Sequence, residues 1–395
     1  MNNVQRILRI ILSVAMVLFA FAVPQPSQAV DPYEVDVILP MTGFGGFIGQ
    51  GGTQGLTAAE TVINKAGGIN GQPIKFVVHD DQSSPQVEVQ LANAVIAQHK
   101  QFFMASSFAA QCNAIAPLVK DGPVLYCLTP SVHPEPGSHI FSIDPATADQ
   151  IPVEIRYLRL HGLKRLALIT STDASGQDAE HAVDATLALP ENKDVTLVAR
   201  EHFATTDLTV AAQIARVRSS KADVLMAYTS GTPFGTVLRD AQSGGLNLPV
   251  MTSNANMVLA QMASYAQFLP PALYFPGIAC VVPPAQIADR TLRAVVTDYD
   301  ATLRAQGSAP EFMQSTTYDP ALIIASALRK LGTKASADQI RSYIDGLRGF
   351  YGSAGRYDFR TFPQRGLGEP NVFIVRWESG KNAWSAVSKP GGAPL

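Results

Sequence analysis

Residues 35–81 read VDVILPMTGFGGFIGQGGTQGLTAAETVINKAGGINGQPIKFVVHDD, and the order of patterns within them decides the fold. An apolar run at 35–40 stops at a glycine-rich loop. A helical pattern follows at 53–65, and a second apolar run at 74–79 ends in Asp80-Asp81. Strand, helix and strand in so short a span make a βαβ unit, whose two strands lie parallel in one sheet with a right-handed crossover.

The same alternation continues outward. Further strand runs lie at 102–106 and 124–129, with helical patterns at 87–99 and 110–119. These runs are continuously apolar, as in strands covered on both faces. Asp144-Pro145 interrupts the pattern, which then restarts. Strands at 166–170, 195–198, 224–229 and 250–253 alternate with helices at 177–189, 210–219 and 234–242, and a further helix follows at 258–268. Residues 278–347 read as mostly helical, at 286–306, 320–331 and 337–347, and the tail has a strand at 372–377. The fold class is therefore α/β in two halves of one architecture, each a parallel sheet flanked by helices. The late helical block returns to the first half, whose sheet needs the cover.

The first residues are a secretory signal. Arg6 and Arg9 precede an apolar stretch of about 14 residues, too short for the roughly 20 of a spanning helix. Pro24 ends it, and Ser27-Gln28-Ala29 is a cleavage site, so residues 1–29 are expected to be removed after Ala29 and the protein to work in the periplasm. No lipobox cysteine sits near the site, and no later segment is long and apolar enough to cross a bilayer. Without its two signal arginines the chain keeps 28 basic and 32 acidic residues, net −4. That charge offers no footprint for nucleic acid. Of Cys112, Cys127 and Cys280, the first two could pair in an oxidising compartment, or all three could be small buried apolar residues.

Enzyme and cofactor motifs are missing. There is no G-x-S-x-G elbow, no H-E-x-x-H and no G-x-x-x-x-G-K-[ST] loop, and the seven histidines are scattered without ligand spacing. The glycine loop fails the dinucleotide fingerprint, because from Gly43 the third glycine position falls on Ile48. Asp80 and Asp81 read as loop hydrogen bonding and a helix cap. No metal, no cofactor and no catalytic residue are expected.

Loops at the carboxyl ends of parallel strands are where such sheets bind ligands. The first carries Phe44, Phe47 and Ile48 among glycines. The second, 106–113, contains Ser107, Phe108, Ala109, Gln111 and Cys112 at a helix start, where free N–H groups suit a carboxylate; capping by Ser107 is the plainer reading of that residue alone. The third is Thr129-Pro130-Ser131. In the second half, Ser175, Thr229-Ser230 and Asn254 end strands in the same way. Each alone is more often a turn than a site, and their convergence on one edge of two sheets makes the candidate.

The stretches 63–81 (INKAGGINGQPIKFVVHDD), 116–131 (APLVKDGPVLYCLTPS) and 234–254 (FGTVLRDAQSGGLNLPVMTSN) resemble the periplasmic solute-binding proteins of branched-chain amino acid (leucine/isoleucine/valine-type) ABC transporters. The resemblance runs through the whole mature chain. It implies the two-lobed type I periplasmic binding protein fold with a three-stranded hinge, placed near 143–147, 276–282 and 350–355. Lobe 1 would then be 33–144 plus 280–349, and lobe 2 would be 145–279 plus 350–395. It implies a monomer that docks on a membrane permease, and a carboxylate held by Ala109–Cys112, Thr129 and Ser131.

Departures from the family concern the ligand. Amino-acid binders carry an acid where this chain has Asn254, and pocket aromatics are matched by Ile48, Ser175 and Ser230. An ammonium buried without a carboxylate partner is costly. The expectation is a small carboxylic acid lacking an α-ammonium, aromatic by first choice, with Phe44, Phe47 and Phe108 against its ring. The alternatives are an aliphatic amino acid held by Asp149 or another acid, a small amide or urea, a sensor ectodomain of the same fold, and, remotely, an exported enzyme.

Overall fold

The computed structural model describes residues 30–395; the expected signal segment, 1–29, lies outside the described residues. The chain opens with β1 (Tyr33–Leu39), α1 (Gly46–Lys65), β2 (Ile74–Asp80), α2 (Pro85–Ala97), β3 (Phe102–Ala105), α3 (Ala109–Ile115), β4 (Val124–Cys127) and β5 (Ile140–Ser142). The five strands form one sheet in the order β2-β1-β3-β4-β5, parallel throughout. The residues of β3 and β4 are all buried, as their unbroken apolar runs require.

The glycine-rich segment is not a loop. A single 3-10 turn at Gly43–Gly45 leads directly into α1, which starts seven residues before the helical pattern becomes visible at Thr53. The physical reason is close packing. A Cβ on Gly55 would lie 2.0 Å from the carbonyl oxygen of Gln314, and one on Gly51 would lie 2.5 Å from Met313 Cβ. The glycines give up helix propensity so that a later helix can lie against α1.

A second run of elements follows: α4 (Thr147–Leu160), β6 (Arg165–Ser171), α5 (Ala174–Leu187), β7 (Thr196–Phe203), α6 (Ala211–Ser219), β8 (Val224–Tyr228), α7 (Thr232–Ser243), β9 (Val250–Thr252), α8 (Leu259–Ser264) and β10 (Leu273–Gly277). Helix α4 was not legible, because it carries Pro152 and sits directly behind Asp144-Pro145. Then come α9 (Arg290–Ala305), α10 (Phe312–Leu331), α11 (Ala337–Asp345), the hairpin β11 (Arg348–Tyr351) with β12 (Arg356–Asp358), β13 (Phe373–Glu378) and β14 (Ala383–Ala386). The second sheet has the order β14-β13-β10-β9-β8-β6-β7, with β13 and β14 added antiparallel.

The late helices lie against elements of the first sheet. Helix α10 packs along α1, and Thr317 Oγ1 donates to the Gly52 carbonyl at 2.7 Å. It begins at Phe312, eight residues before Pro320, where the sequence suggests a start. Residues 350–367 bond to this side as well, although the sequence reading groups 350–395 with the second lobe. Asp319 of α10 accepts from Ser353 N, Ser353 Oγ, Ala354 N and Tyr357 Oη, all at 2.7–2.9 Å. Gln364 and Arg365 bond to the carbonyls of Ser138, Ile140 and Ile143 beside β5. The segment 350–355 is thus mostly a hairpin, and the chain reaches the second sheet only after Leu367. Cys112 and Cys127 form a disulfide joining α3 to β4, while Cys280 is free and buried. No helix among the described residues is long and apolar enough to cross a membrane.

Candidate functional site

Carboxyl ends of strands from both sheets face one cleft, whose unfilled space is about 670 Å³ with its mouth included. From the first sheet come Ser107 and Phe108 after β3, and Leu128, Thr129, Pro130 and Ser131 after β4. From the second come Ser175 at the start of α5, Tyr228, Thr229 and Ser230 at the end of β8, and Asn254 after β9. Ile48 adds an apolar contact from the first turn of α1.

The hydroxyl-bearing loop after β4 is fixed from below. Ser142 Oγ donates to the Thr129 carbonyl at 2.5 Å, and Ser131 Oγ lies 3.0 Å from Thr147 Oγ1. Beneath them lies the buried guanidinium of Arg365. It donates to the Pro130 carbonyl at 3.0 Å, Ser142 Oγ at 3.0 Å and the Ile143 carbonyl at 3.1 Å, and also to the Val132 carbonyl. Burial lowers its pKa to about 10, so it stays a cation at neutral pH. Burial raises the neighbouring Asp144 to about 7, with Asp319 adding to the rise and Arg365 opposing it. The loop therefore presents hydroxyls to the cleft above a positive charge.

On the opposite wall, Asn256 Nδ2 donates to the Thr229 carbonyl at 2.8 Å and to Thr252 Oγ1 at 2.9 Å, tying the end of β8 to that of β9. Thr229 Oγ1 is buried with no protein partner among the described residues. Gly231 has φ +72°, and a Cβ there would meet the Phe44 carbonyl at 2.3 Å, so glycine allows the two walls to approach. Further contacts span the gap: Ala109 N to Ser175 Oγ at 3.3 Å, His133 Nε2 to Asp178 Oδ1 at 2.6 Å, and Leu259 N to Glu311 Oε2 at 2.6 Å.

Some expected site residues lie elsewhere. Phe44 stacks on Phe108 with ring centroids 4.7 Å apart and faces a neighbouring depression rather than the cleft. Phe47 packs against the core. Ala109 is buried, and its N–H is already bonded to Ser175. Gln111 is 1% exposed, its amide beside the Asp81 carboxyl. Cys112 is 2% exposed and held in the disulfide. On a helix these side chains turn inward one after another, so a loop reading overcounts them. Asp149 caps α4 through Ala146 N at 3.0 Å and does not line the cleft. Asp80 and Asp81 bond to loop N–H groups, as expected.

Other lining residues were missed. Thr147 and Gln150 come from the unrecognised α4, and Phe312, Met313 and Thr316 come from α10, far away in sequence. Of these only Tyr228 carries a signal in the sequence, as a strand residue directly before Thr229 and Ser230. Taken together, no Asp, Glu, Lys, Arg or His among the described residues lines this cleft. Among the described residues no cluster of three or more His, Cys, Asp or Glu could hold a metal ion. The lining can form hydrogen bonds and apolar contacts, and it carries no fixed charge of its own.

A family model described as "Periplasmic binding protein" matches residues 32–382. The chain is similar to an amino acid binding protein of Pseudomonas aeruginosa, with 28% identity over 77% of this chain and 80% of the relative. Its fold is shared with a type 1 periplasmic binding protein from Bordetella pertussis, at TM-score 0.78 and 18% identity over 92% of this chain and 100% of the other. It is shared as well with LivJ, the branched-chain amino acid transporter substrate binding protein of Streptococcus pneumoniae in complex with isoleucine. There the TM-score is 0.75, with 16% identity over 90% and 99% of the two chains.

Proposed function

The chain belongs to the periplasmic binding protein family, and on that premise we propose that it is the extracytoplasmic solute-binding component of an ABC uptake transporter, capturing a small carboxylic acid that lacks an α-ammonium. The observation that carries the ligand class is the uncharged lining of the cleft. An ammonium sealed inside would have no carboxylate partner, a cost of several kcal/mol by the usual scale for buried ions. A carboxylate is better served: hydroxyls of Ser107, Thr129 and Ser131 face it, and Arg365 lies beneath. Phe108, Tyr228 and Phe312 line the remainder, which favours an aromatic ring over an aliphatic chain.

The lobes in this reading are 33–144 with 280–367, and 145–279 with 368–395. The ligand binds the first and the second closes over it, excluding water. The contacts of Ser175, Asp178 and Leu259 across the gap are those of the closed arrangement. The protein acts in the periplasm as a monomer after cleavage behind Ala29, presents the closed form to a permease, and catalyses nothing.

A second reading, an aliphatic amino acid, is favoured by the relatives' names. Thermal melting of residues 30–395, refolded to strip any bound ligand, separates the two. The panel is benzoates, cinnamates, phenyl-2-oxo acids, aliphatic amino acids and amides. Specific ligands raise the melting temperature by mass action. Shifts with aromatic acids are expected; a shift with leucine or valine alone overturns the proposal.

A further inference from the structure

Helix α4 carries Thr147, Gln150 and Glu154 at a spacing that puts all three on one face. The first two line the cleft. Glu154 lies one turn further in, 0% exposed, behind Tyr228, which does line it. Tyr228 Oη donates to Glu154 Oε2, and Oε1 has no partner among the described residues. Among the described residues the carboxyl caps no helix and meets no cation. For stability alone it is a poor choice, since a buried carboxyl with an unmatched oxygen costs more than an apolar residue of similar size.

We propose that Glu154, through its bond to Tyr228, sets the charge of the ligand that this cleft accepts. The inference rests on the reading of the cleft as the ligand site. With its proton on, Glu154 leaves the cleft wall neutral, and a carboxylate can enter. With its proton off, it becomes a fixed negative charge directly behind the lining. It then repels a carboxylate and supplies the counter-charge that an ammonium needs.

Burial holds this carboxyl up to about 8, with the Tyr228 bond opposing the rise, so the protonated form prevails at neutral pH. Charged side chains on the elements packed against α4 are otherwise engaged. Asp178 of α5 meets His133, Glu180 and Asp184 meet Arg200, Arg376 of β13 meets Glu378, and Glu369 meets Arg156 on α4 itself. None of them acts on Glu154; Tyr228 alone does.

By linkage, a ligand carboxylate raises the pKa of Glu154 and an ammonium lowers it. The part of the affinity governed by Glu154 is therefore level for an acid below about pH 8 and falls above it, while for an amino acid it rises there. The test is calorimetric titration of the mature protein and of Glu154→Gln with 3-phenylpropanoate and with leucine, from pH 6.5 to 9. For wild type, phenylpropanoate should weaken roughly tenfold between pH 7 and 9, within the usual range for coupled sites. Glu154→Gln still accepts the Tyr228 hydroxyl but cannot ionise, so it should lose this fall above pH 8 and differ from wild type most at pH 9. Parallel profiles in the two proteins overturn the inference. If phenylpropanoate binds at no pH and leucine does, the acid reading of the cleft fails. The inference then stands only if leucine tightens with pH in wild type and not in the variant. Binding of neither probe overturns both. If the variant does not fold, carbon-13 NMR of the glutamate carboxyls in wild type decides. A buried carboxyl titrating near 8, whose midpoint rises with phenylpropanoate, supports the inference, and an unmoved midpoint overturns it.

Discussion

Arg365 satisfies several carbonyls at once under the loop that faces the cleft. Only a guanidinium can do so, because its donors form a planar fork and a lysine offers one point charge. Arg365→Met would leave the carbonyls of Pro130, Val132 and Ile143 buried with that donor gone, and would remove the cation beside Asp144. It is expected to lower stability by about 3 kcal/mol, the scale of a broken buried polar network, and to weaken acid binding as the loop relaxes. Urea unfolding and calorimetry measure the two effects, and Arg365→Lys should restore only part of each. Unchanged unfolding in the methionine variant would remove Arg365 from this role. Nothing near Arg365 in sequence marks it, since its partners lie more than two hundred positions earlier.

Helices α1 and α10 are set against each other by glycine. Propensity alone predicts that Gly55→Ala stabilises α1 by about 1 kcal/mol. The added Cβ would fall 2.0 Å from the Gln314 carbonyl oxygen, a backbone atom that cannot step aside. Overpacking of this kind typically costs about 1–3 kcal/mol, so the net sign is destabilising. Because α10 brings Phe312, Met313 and Thr316 to the cleft, ligand affinity should fall with stability. A higher melting temperature for Gly55→Ala would mean that α10 is free to move away. The glycines were visible in the sequence as a cluster. Their purpose was not, since the same cluster fits a loop, and only the partner helix distinguishes the two.

At the scale of the whole molecule, Glu311 at the start of α10 accepts from the N–H of Leu259 at the start of α8, a bond that the proposed closure would form. Burial in the closed arrangement raises this carboxyl to about 7, the Leu259 bond opposing the rise. Opening would return it to water, where a glutamate ionises at roughly 4.3. The closed state thus binds the extra proton between those values, so affinity should rise as pH falls through about 7 and level off near the ordinary value. Glu311→Gln keeps an acceptor for Leu259 and has no proton to take up, so its affinity should rise less than wild type's as pH falls from 8 to 5.5 by calorimetry. His133 and Asp178 span the same gap in both proteins, and the comparison cancels their contribution. Equal slopes in the two proteins would show that closure is not linked to this residue.

Local patterns determined the alternation of strands and helices and the parallel strands at the heart of both sheets. Apolar runs and turn residues act over a few neighbours and so can be read in order. They also supplied most of one wall of the cleft, because strand ends followed by Ser, Thr or Asn are local signals. The tertiary structure alone decided what those ends face. It turned the glycine loop into a packing helix and took Cys112 and Gln111 out of the site. It brought Tyr228 and Glu154 together from 74 positions apart, and it left the cleft without a charged side chain. Burial and charge at a site belong to the sum of distant neighbours, and no stretch of chain contains that sum.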